Sequence, residues 1–482
     1  MIIEEKILGL TLQQWHDMLE CDEAEDVEKA LAYLDGEQEE AMEELLSDPH
    51  KGRKDWKVRG IIPRFRNLVK PIVIHSGMLF KDSPPTLEVY DKNSKTVDEN
   101  ASNFLYEELS KTEFSEFCIT LDETTRLLKS VLVLTQYDPQ YNELTFTLLH
   151  RSNSAVVMDN NYRTILGLIY ETSDDQYRIF TLDTIYDLTE NDNDEIVLVG
   201  TQPNPYGIIP ASPFYDTNLP RCGFWLCAGM DLVSANEIYN LHLTDAEYAL
   251  SWAKLPTLYT NCRFNSSGSE ELEIATQWGQ KLPSLQPAQT GIIGGPGKAI
   301  ILDSVGIDSP FVEYKAPVFD IAAMDAVVNN WIKNTAYDWS VQLDVAGQGR
   351  ANSGFQLVVE ELPNLELRKQ RQKMFSMGFK RWYKIVAQVL NTVNNNTALP
   401  LDAELYVDFA EPILPVDQKV QEELWTVKID TGRASLVDYF EETQGMTEEE
   451  ALAKIAEINS YKNLLVVNST NTINTPNNMT TN

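Results

Sequence analysis

Cysteine is scarce: five in 482 residues, with no paired spacing beyond Cys222-x4-Cys227. That excludes a disulfide-stapled scaffold and argues for free thiols in a reducing compartment. No stretch approaches the roughly 18 uncharged apolar residues that a membrane span requires. The start, MIIEEK, is acidic where a secretory leader is basic, and no apolar run follows it, so no signal peptide is expected. Histidine is just as sparse, and His16, His50, His75, His150 and His242 show no metal-ligand spacing. No G-x-S-x-G turn is present for a serine hydrolase. These absences lead to the expectation of a soluble protein made in the cytoplasm, with no metal and no cofactor.

Positive charge is the other deficit. Lys and Arg total 39 against 73 Asp and Glu, a formal charge of −34. A protein that grips DNA by releasing counterions needs a surplus of cations over its footprint, so a simple basic-patch DNA binder is excluded. A protein that lets a duplex pass without sticking is not. Two segments break the average. Residues 51–70 hold Lys51, Arg53, Lys54, Lys57, Arg59, Arg64, Arg66 and Lys70 against Asp55 alone, after 50 residues with 16 acids and only Lys6 and Lys29. The second is Arg368, Lys369, Arg371, Lys373, Lys380, Arg381 and Lys384, with no acid from 368 to 401. Each either pairs with acidic surface of its own or a neighbouring chain, or meets nucleic-acid phosphates.

What is present is a chain rich enough for sizeable cores, 43% hydrophobic and 10% aromatic, and long enough for about three domains. Helical spacing marks LTLQQWHDMLE and DVEKALAYLDGEQEEAMEELL. Residues 60–92 read as extended, including KPIVIHSGML and TLEVYD, and 97–128 as a polar helical stretch. Seven β-rich runs follow, from SVLVLTQYD to EIVLVG, spaced by turn formers as in an antiparallel meander. Residues 228–255 make an amphipathic helix with Leu232, Ala235, Tyr239, Leu243, Ala246 and Leu250 on one stripe, stopped by Pro256. A Gly/Pro-rich excursion of short strands spans 257–317. A second amphipathic helix, 320–337, carries Ile321, Met324, Val328, Trp331 and Ile332. After the loop DVAGQGRANSG comes a long helix, 355–394, bent or restarted at Pro363; its part beyond Pro363 would span about 48 Å. The strand AELYVDF and helical region 417–460 precede an uncharged Asn/Thr-rich tail, expected to be mobile.

Two fragments invite an enzymatic reading. IGGPGKAI (293–300) lacks the upstream glycine and the hydroxyl residue of a nucleotide loop; those positions are Ile292 and Ala299. Asp417-Gln418-Lys419 has the D-x-K half of a nuclease motif without an identifiable metal-binding carboxylate upstream, and Pro415-Val416-Asp417 suits a helix N-cap. The order of elements says more: two long amphipathic helices flank a β-rich excursion and are followed by a loop and a longer helix. Such a stalk, with apolar stripes too broad for a monomer, suits the wall of a ring.

In that order the residues resemble the portal, or head-to-tail connector, proteins of tailed double-stranded DNA bacteriophages. Asn204-Pro205-Tyr206-Gly207-Ile208-Ile209-Pro210 with Phe214 looks like the family's "GxxPxxxF" approach to the first stem helix, which then runs from Asp231 through Ile238, Asn240 and Leu243 to Pro256-Thr257-Leu258. Gly347-Gln348-Gly349 and Ser353-Gly354-Phe355-Gln356-Leu357 are similar to its "SGxxL" at the tunnel loop, and Leu367-Arg368-Lys369-Gln370-Arg371 to the charged start of the helix behind it. Val407-Asp408-Phe409 through Pro412 and Pro415-Val416-Asp417 to Gly432 and Ser435 looks like its closing pattern. The likeness covers about residues 200–460.

The resemblance implies an α+β subunit: an α/β wing at 1–227, stem helices at 228–256 and 318–338, a β-rich clip at 257–317, and a tunnel loop at 339–354. A long helix and returning wing strand would occupy 355–412, a helical crown 413–467, and a flexible tail 468–482. It implies no catalytic residue, but a homo-oligomeric ring of about twelve subunits at one capsid vertex of the virion, assembled in the bacterial cytoplasm. Double-stranded DNA would pass through its channel during packaging and ejection. Terminase, then a head–tail adaptor, would dock on it, and the major capsid protein would surround it. Gln342, Gln348, Arg350 and Asn352 would line the tunnel. Arg368, Lys369, Arg371 and Lys373 would touch DNA or a neighbouring subunit, and Gly294, Gly295, Pro296 and Lys298 would meet the clip's partner. The alternatives are another head–tail adaptor or scaffold, or a carboxylate-metal nuclease.

Overall fold

The computed structural model describes residues 6–47, 57, 61–80, 83–92, 96–159, 164–173, 175–191, 195–221, 223–254, 257–260, 299–301, 312–315, 320–342, 354–394, 399–410, 425–444, 447, 451–456 and 458. The chain divides into two units, Met1–Gly347 with Pro363–Glu411, and Gln348–Leu362 with Pro412–Asn482.

The first unit opens with a small hairpin, β1 (Lys6–Ile7) and β2 (Leu10–Thr11), and three helices, α1 (Leu12–Asp17), α2 (Asp22–Asp35) and α3 (Gln38–Ser47). Thr11 and Gln14 form a reciprocal capping box that starts α1. Extended structure is expected over 60–92, but residues 61–68 form neither helix nor strand, and Val69–His75 after them is a helix, α4. Its β-branched residues favour a strand locally, yet Val69, Ile72 and Val73 recur at i, i+3 and i+4 and are all buried, so helical packing overrides propensity. Pro71 sits in the first turn, where its missing N–H costs nothing.

Strand β3 (Thr86–Tyr90) leads to two helices where one stretch is expected, α5 (Glu99–Ser110) and α6 (Phe114–Leu128). All seven expected strands then form: β4 (Ser130–Asp138), β5 (Glu143–Leu149), β6 (Ser154–Met158), β7 (Ile165–Ser173), β8 (Gln176–Thr181), β9 (Thr184–Glu190) and β10 (Ile196–Pro203). They divide between two antiparallel sheets. One has the order β10-β9-β8-β7-β6; the other places β4 between β5 and β11 (Ala211–Tyr215). Central β4 is buried on both faces, so it reads as an unbroken apolar run. Its alternation splits two cores: Val131 and Val133 join the helical one, Leu132 and Leu134 the inter-sheet one.

Helix α7 (Met230–Lys254) packs against α8 (Ile321–Asp338), and between them in sequence a small mixed sheet joins β12 (Thr257–Thr260), β13 (Ala299–Ile301) and β14 (Val312–Lys315). Asp320 caps α8 by accepting from the Ala323 N–H at 3.0 Å. Helix α9 (Gly354–Asn394) contains Pro363. Beyond it, Phe375, Phe379, Trp382, Tyr383, Val386 and Leu390 recur at three- and four-residue spacing and fill the helical core. Gly378 lies on that face because a Cβ there would come within 2.6 Å of the Phe214 ring. Strand β15 (Glu404–Asp408) returns to pair antiparallel with β3.

In the second unit, residues 425–430 are helical and turn at Gly432, whose φ of +70° suits glycine. Ser435 and Asp438 then exchange hydrogen bonds to start α10 (Leu436–Gln444). Trp425, Tyr439 and Phe440 pack edge to face.

Candidate functional site

Among the residues that carry the resemblance, Asn204, Gly207, Phe214 and Phe409 are structural pins in the first unit. Asn204 is buried; its Nδ2 donates to the carbonyls of Thr181 and Ile208, both at 2.8 Å, and its Oδ1 accepts from the Tyr206 N–H. Gly207 holds φ +62°. Phe214 meets Phe375 and Phe379 at ring separations of 5.7 and 5.1 Å, and Phe409 stacks on Phe80.

The deepest polar feature is a buried charge cluster where α4, α6, β11, α8 and α9 converge. Arg371 is fully buried: its Nε donates to Asp216 Oδ1 at 2.6 Å, Nη1 to the Gly77 carbonyl at 2.9 Å and Nη2 to the Asp122 carbonyl at 3.1 Å. Nη2 also lies 2.7 Å from Asp122 Oδ1. Arg126 Nη1 donates to Asp216 Oδ2 at 2.8 Å, and its Nε and Nη2 to Ser76 Oγ. The Ser76 hydroxyl donates in turn to the Trp339 carbonyl at 2.5 Å. Trp339 closes the cluster: its ring lies under Arg126 at 4.4 Å and Lys129 at 3.9 Å, and its Nε1 donates to Asp231 at 3.0 Å.

Three cations thus face two carboxylates, and the excess positive charge is met by main-chain carbonyls and the indole face. Burial pushes the Asp122 carboxyl up, against the pull of Arg371. The neighbouring Arg371, Arg126 and Lys129 overcome the same burial at Asp216 and hold its carboxyl down. Burial lowers Lys129 from 10.5 to about 8. A base whose pKa falls on folding favours the folded state more as pH rises from that lowered value towards the ordinary one. Lys129→Met is therefore expected to flatten the stability profile between about pH 8 and pH 10, where the parent gains up to about 3 kcal/mol from this group. Urea unfolding across that window measures it; parallel profiles for the two proteins would contradict it.

A second arrangement fixes the basic segment. Asn236, Asn240 and Thr244, one helical turn apart on α7, accept from the main-chain N–H groups of Leu68, Arg66 and Arg64 at 2.5, 2.8 and 3.0 Å. Four helical residues rise about 6.0 Å and two extended residues about 6.6 Å, so the periods nearly match. Two side chains of the basic segment pair with acids of the same chain, Arg64 with Glu247 at 2.5 Å and Lys57 with Glu43 at 3.7 Å. Lys29 pairs with Glu237. Asn240→Leu removes the acceptor of the part-buried Arg66 N–H and is expected to cost about 0.5–1.5 kcal/mol. Thermal unfolding together with faster proteolysis within 51–66 would show it; an unchanged cleavage rate would count against the ladder.

Of the residues assigned from sequence, Gln342 is exposed, one residue beyond buried Val341 at the end of α8. Gln348, Arg350, Asn352, Gly294, Gly295, Pro296 and Lys298 lie outside the described residues. Lys369 and Lys373 are exposed on α9. Arg371 is a correction: at 0% exposure and committed to Asp122 and Asp216, it reaches neither DNA nor a neighbour. Arg368 also turns inward, donating to the carbonyls of Met78, Leu79 and Ala410. Sequence reading missed Asp122, Arg126 and Lys129, close together at the end of α6, and Asp216 and Trp339, which lie about 90 and 213 residues beyond Arg126. It missed Asn236, Asn240 and Thr244 as well, although their four-residue spacing among apolar neighbours is a readable signal. Among the described residues, no cluster of His, Cys, Asp or Glu is arranged to hold a metal, and no helix is long and apolar enough to cross a membrane.

Compared with known protein families and with curated proteins, the sequence matches none. Among solved structures, the chain is similar to one in the virion of a native gene transfer agent particle, at 12% identity, covering 79% of this chain and 88% of that one with a TM-score of 0.39. It is also similar to one in the neck of an empty gene transfer agent particle, at 13% identity, covering 77% and 87% with a TM-score of 0.37.

Proposed function

We propose that this chain is the subunit of a portal ring, a passive channel for double-stranded DNA at one vertex of a phage-type capsid. The observation that carries the reading is the paired helices α7 and α8, bracketing the 255–320 excursion and still showing apolar surface outward. Val327 is 69% exposed, Tyr337 62% and Ile238 43%. On α8 the exposed residues Ala323, Val327, Asn330, Asn334 and Tyr337 follow alternating steps of four and three and carry no charge. That is the seam of a helix packing against another helix. An uncharged seam in a chain of −34 suits lateral contact between copies.

In this reading the charge cluster clamps Trp339, at the start of the expected tunnel loop of 339–354, and Gln342, Gln348, Arg350 and Asn352 line the channel. Residues 262–312, with Gly294, Gly295, Pro296 and Lys298, face terminase and later the adaptor; the wing meets the major capsid protein. The chain's net negative charge lets a duplex slide without a deep counterion-release well. Work on the DNA comes from a separate motor, and this subunit performs no catalysis. Immunogold labelling of particles carrying a tagged chain tests the placement: one cluster of label per head, at the tail vertex, is expected. Label spread over the whole shell would overturn it.

A further inference from the structure

Helix α9 carries a second surface that the core and the charge cluster leave unused. Lys369, Lys373, Lys380 and Lys384 are all exposed. At 100° per residue they fall within an arc of about 60°, forming one row roughly 22 Å long. Among the described residues none of the four pairs with a carboxylate, although the chain carries 73 acids against 39 cations. Arg368 and Arg371, the arginines at the start of the same segment, are turned inward onto carbonyls and buried carboxylates. At the start of the segment the two arginines hold the fold, whereas the four lysines, and Arg381 among them, face solvent.

The opposite surface exists on the same chain. Helices α2 and α3 and the turn between them expose Asp22, Glu23, Glu25, Asp26, Glu28, Asp35, Glu37, Glu39, Glu40, Glu43 and Glu44. The only cation among them, Lys29, is bound to Glu237. A closed ring is built from unlike patches, because each subunit offers one face to the neighbour on its left and another to the neighbour on its right.

We propose that the lysine row of α9 is an interface that receives the acidic α2–α3 helices of a second copy of this chain. This rests on the ring reading above. The row's charges are compact ammonium groups on flexible stems, without the planar forks that fix a single docking geometry, so their contribution is long-range attraction and register. Assembly is accordingly strengthened at low ionic strength and weakened as salt screens the pair.

The test is native mass measurement of full-length protein across a salt series, with circular dichroism verifying that each variant is folded. The variant Lys369→Glu, Lys373→Glu, Lys380→Glu, Lys384→Glu is expected to remain folded and fail to close rings. The converse variant, Glu37→Lys, Glu39→Lys, Glu40→Lys, Glu44→Lys, is expected to fail in the same way. An equimolar mixture of the two is expected to assemble, since each then presents the face the other lacks. The neutral variant with glutamine at the four lysine positions is expected to form rings whose stability no longer falls with salt. Wild-type-like rings from the lysine-reversed variant would overturn the proposal. So would failure of the mixture with both partners folded. Intact rings that have lost only retention of a duplex DNA probe would reassign the row to phosphate contact and also overturn it. A wild-type chain that forms no ring would instead remove the reading on which the proposal stands.

Discussion

Arg371→Met is expected to destabilise the first unit by about 3–5 kcal/mol, the cost of leaving buried carboxylates without their counter-charge. Arg371 is fully buried, and its guanidinium bridges Asp216 at 2.6 Å and Asp122 at 2.7 Å while donating to two main-chain carbonyls. Methionine fills similar volume, so the loss is electrostatic rather than a cavity. Asp122, already pushed up by burial, would take up a proton more readily, and Asp216 would keep Arg126 and Lys129. Arg371→Lys is expected to recover only part of the stability, because one ammonium cannot span both carboxylates with a planar fork. Urea midpoints of the three proteins measure this. A loss below about 1 kcal/mol for methionine, within the range of exposed ion pairs, would show that the cluster is not a keystone.

Trp382→Ala is expected to cost about 3–5 kcal/mol, the range for removing a large aromatic from a packed core. The ring stacks on Phe114 at 5.5 Å and meets Phe146 at 5.7 Å and Phe379 at 5.8 Å, tying α9 to α6 and β5. Trp382→Phe is expected to lose far less, within about 1.5 kcal/mol. The indole N–H has no hydrogen-bond partner among the described residues, so phenylalanine gives up area while removing an orphan donor. Equal losses for alanine and phenylalanine would mean that the N–H is satisfied by water and matters.

The sheets and long helices were legible because each rests on a local period. The seven strand runs alternate or run apolar between Asp, Asn, Gly and Ser turns, and the stripe of α7 recurs at helical spacing. Residues 69–75 misled because Val69, Ile72 and Val73 satisfy two signals at once, β-branching and helical period, and burial rather than propensity decided between them. The charge cluster had no local signal at all. Asp122, Arg126 and Lys129 look like an ordinary helix end, and Asp216 and Arg371 lie about 90 and 245 residues further on; only the fold brings them together. Arg371 illustrates the same limit from the other side, since a run of Lys and Arg in sequence gives no indication of which members face inward. The residues expected at the tunnel and the clip partner, from Gly294 to Lys298 and from Gln348 to Asn352, fall outside the described residues.

The central claim is assembly into a ring with a DNA-sized hole. Native mass spectrometry of the purified full-length chain, alongside negative-stain electron microscopy, tests it most directly. Rings of about a dozen subunits with an axial hole near the roughly 20 Å width of a duplex are the expected result. A monomer or dimer at every concentration and ionic strength tried, with no axial hole in any class of images, would contradict the claim.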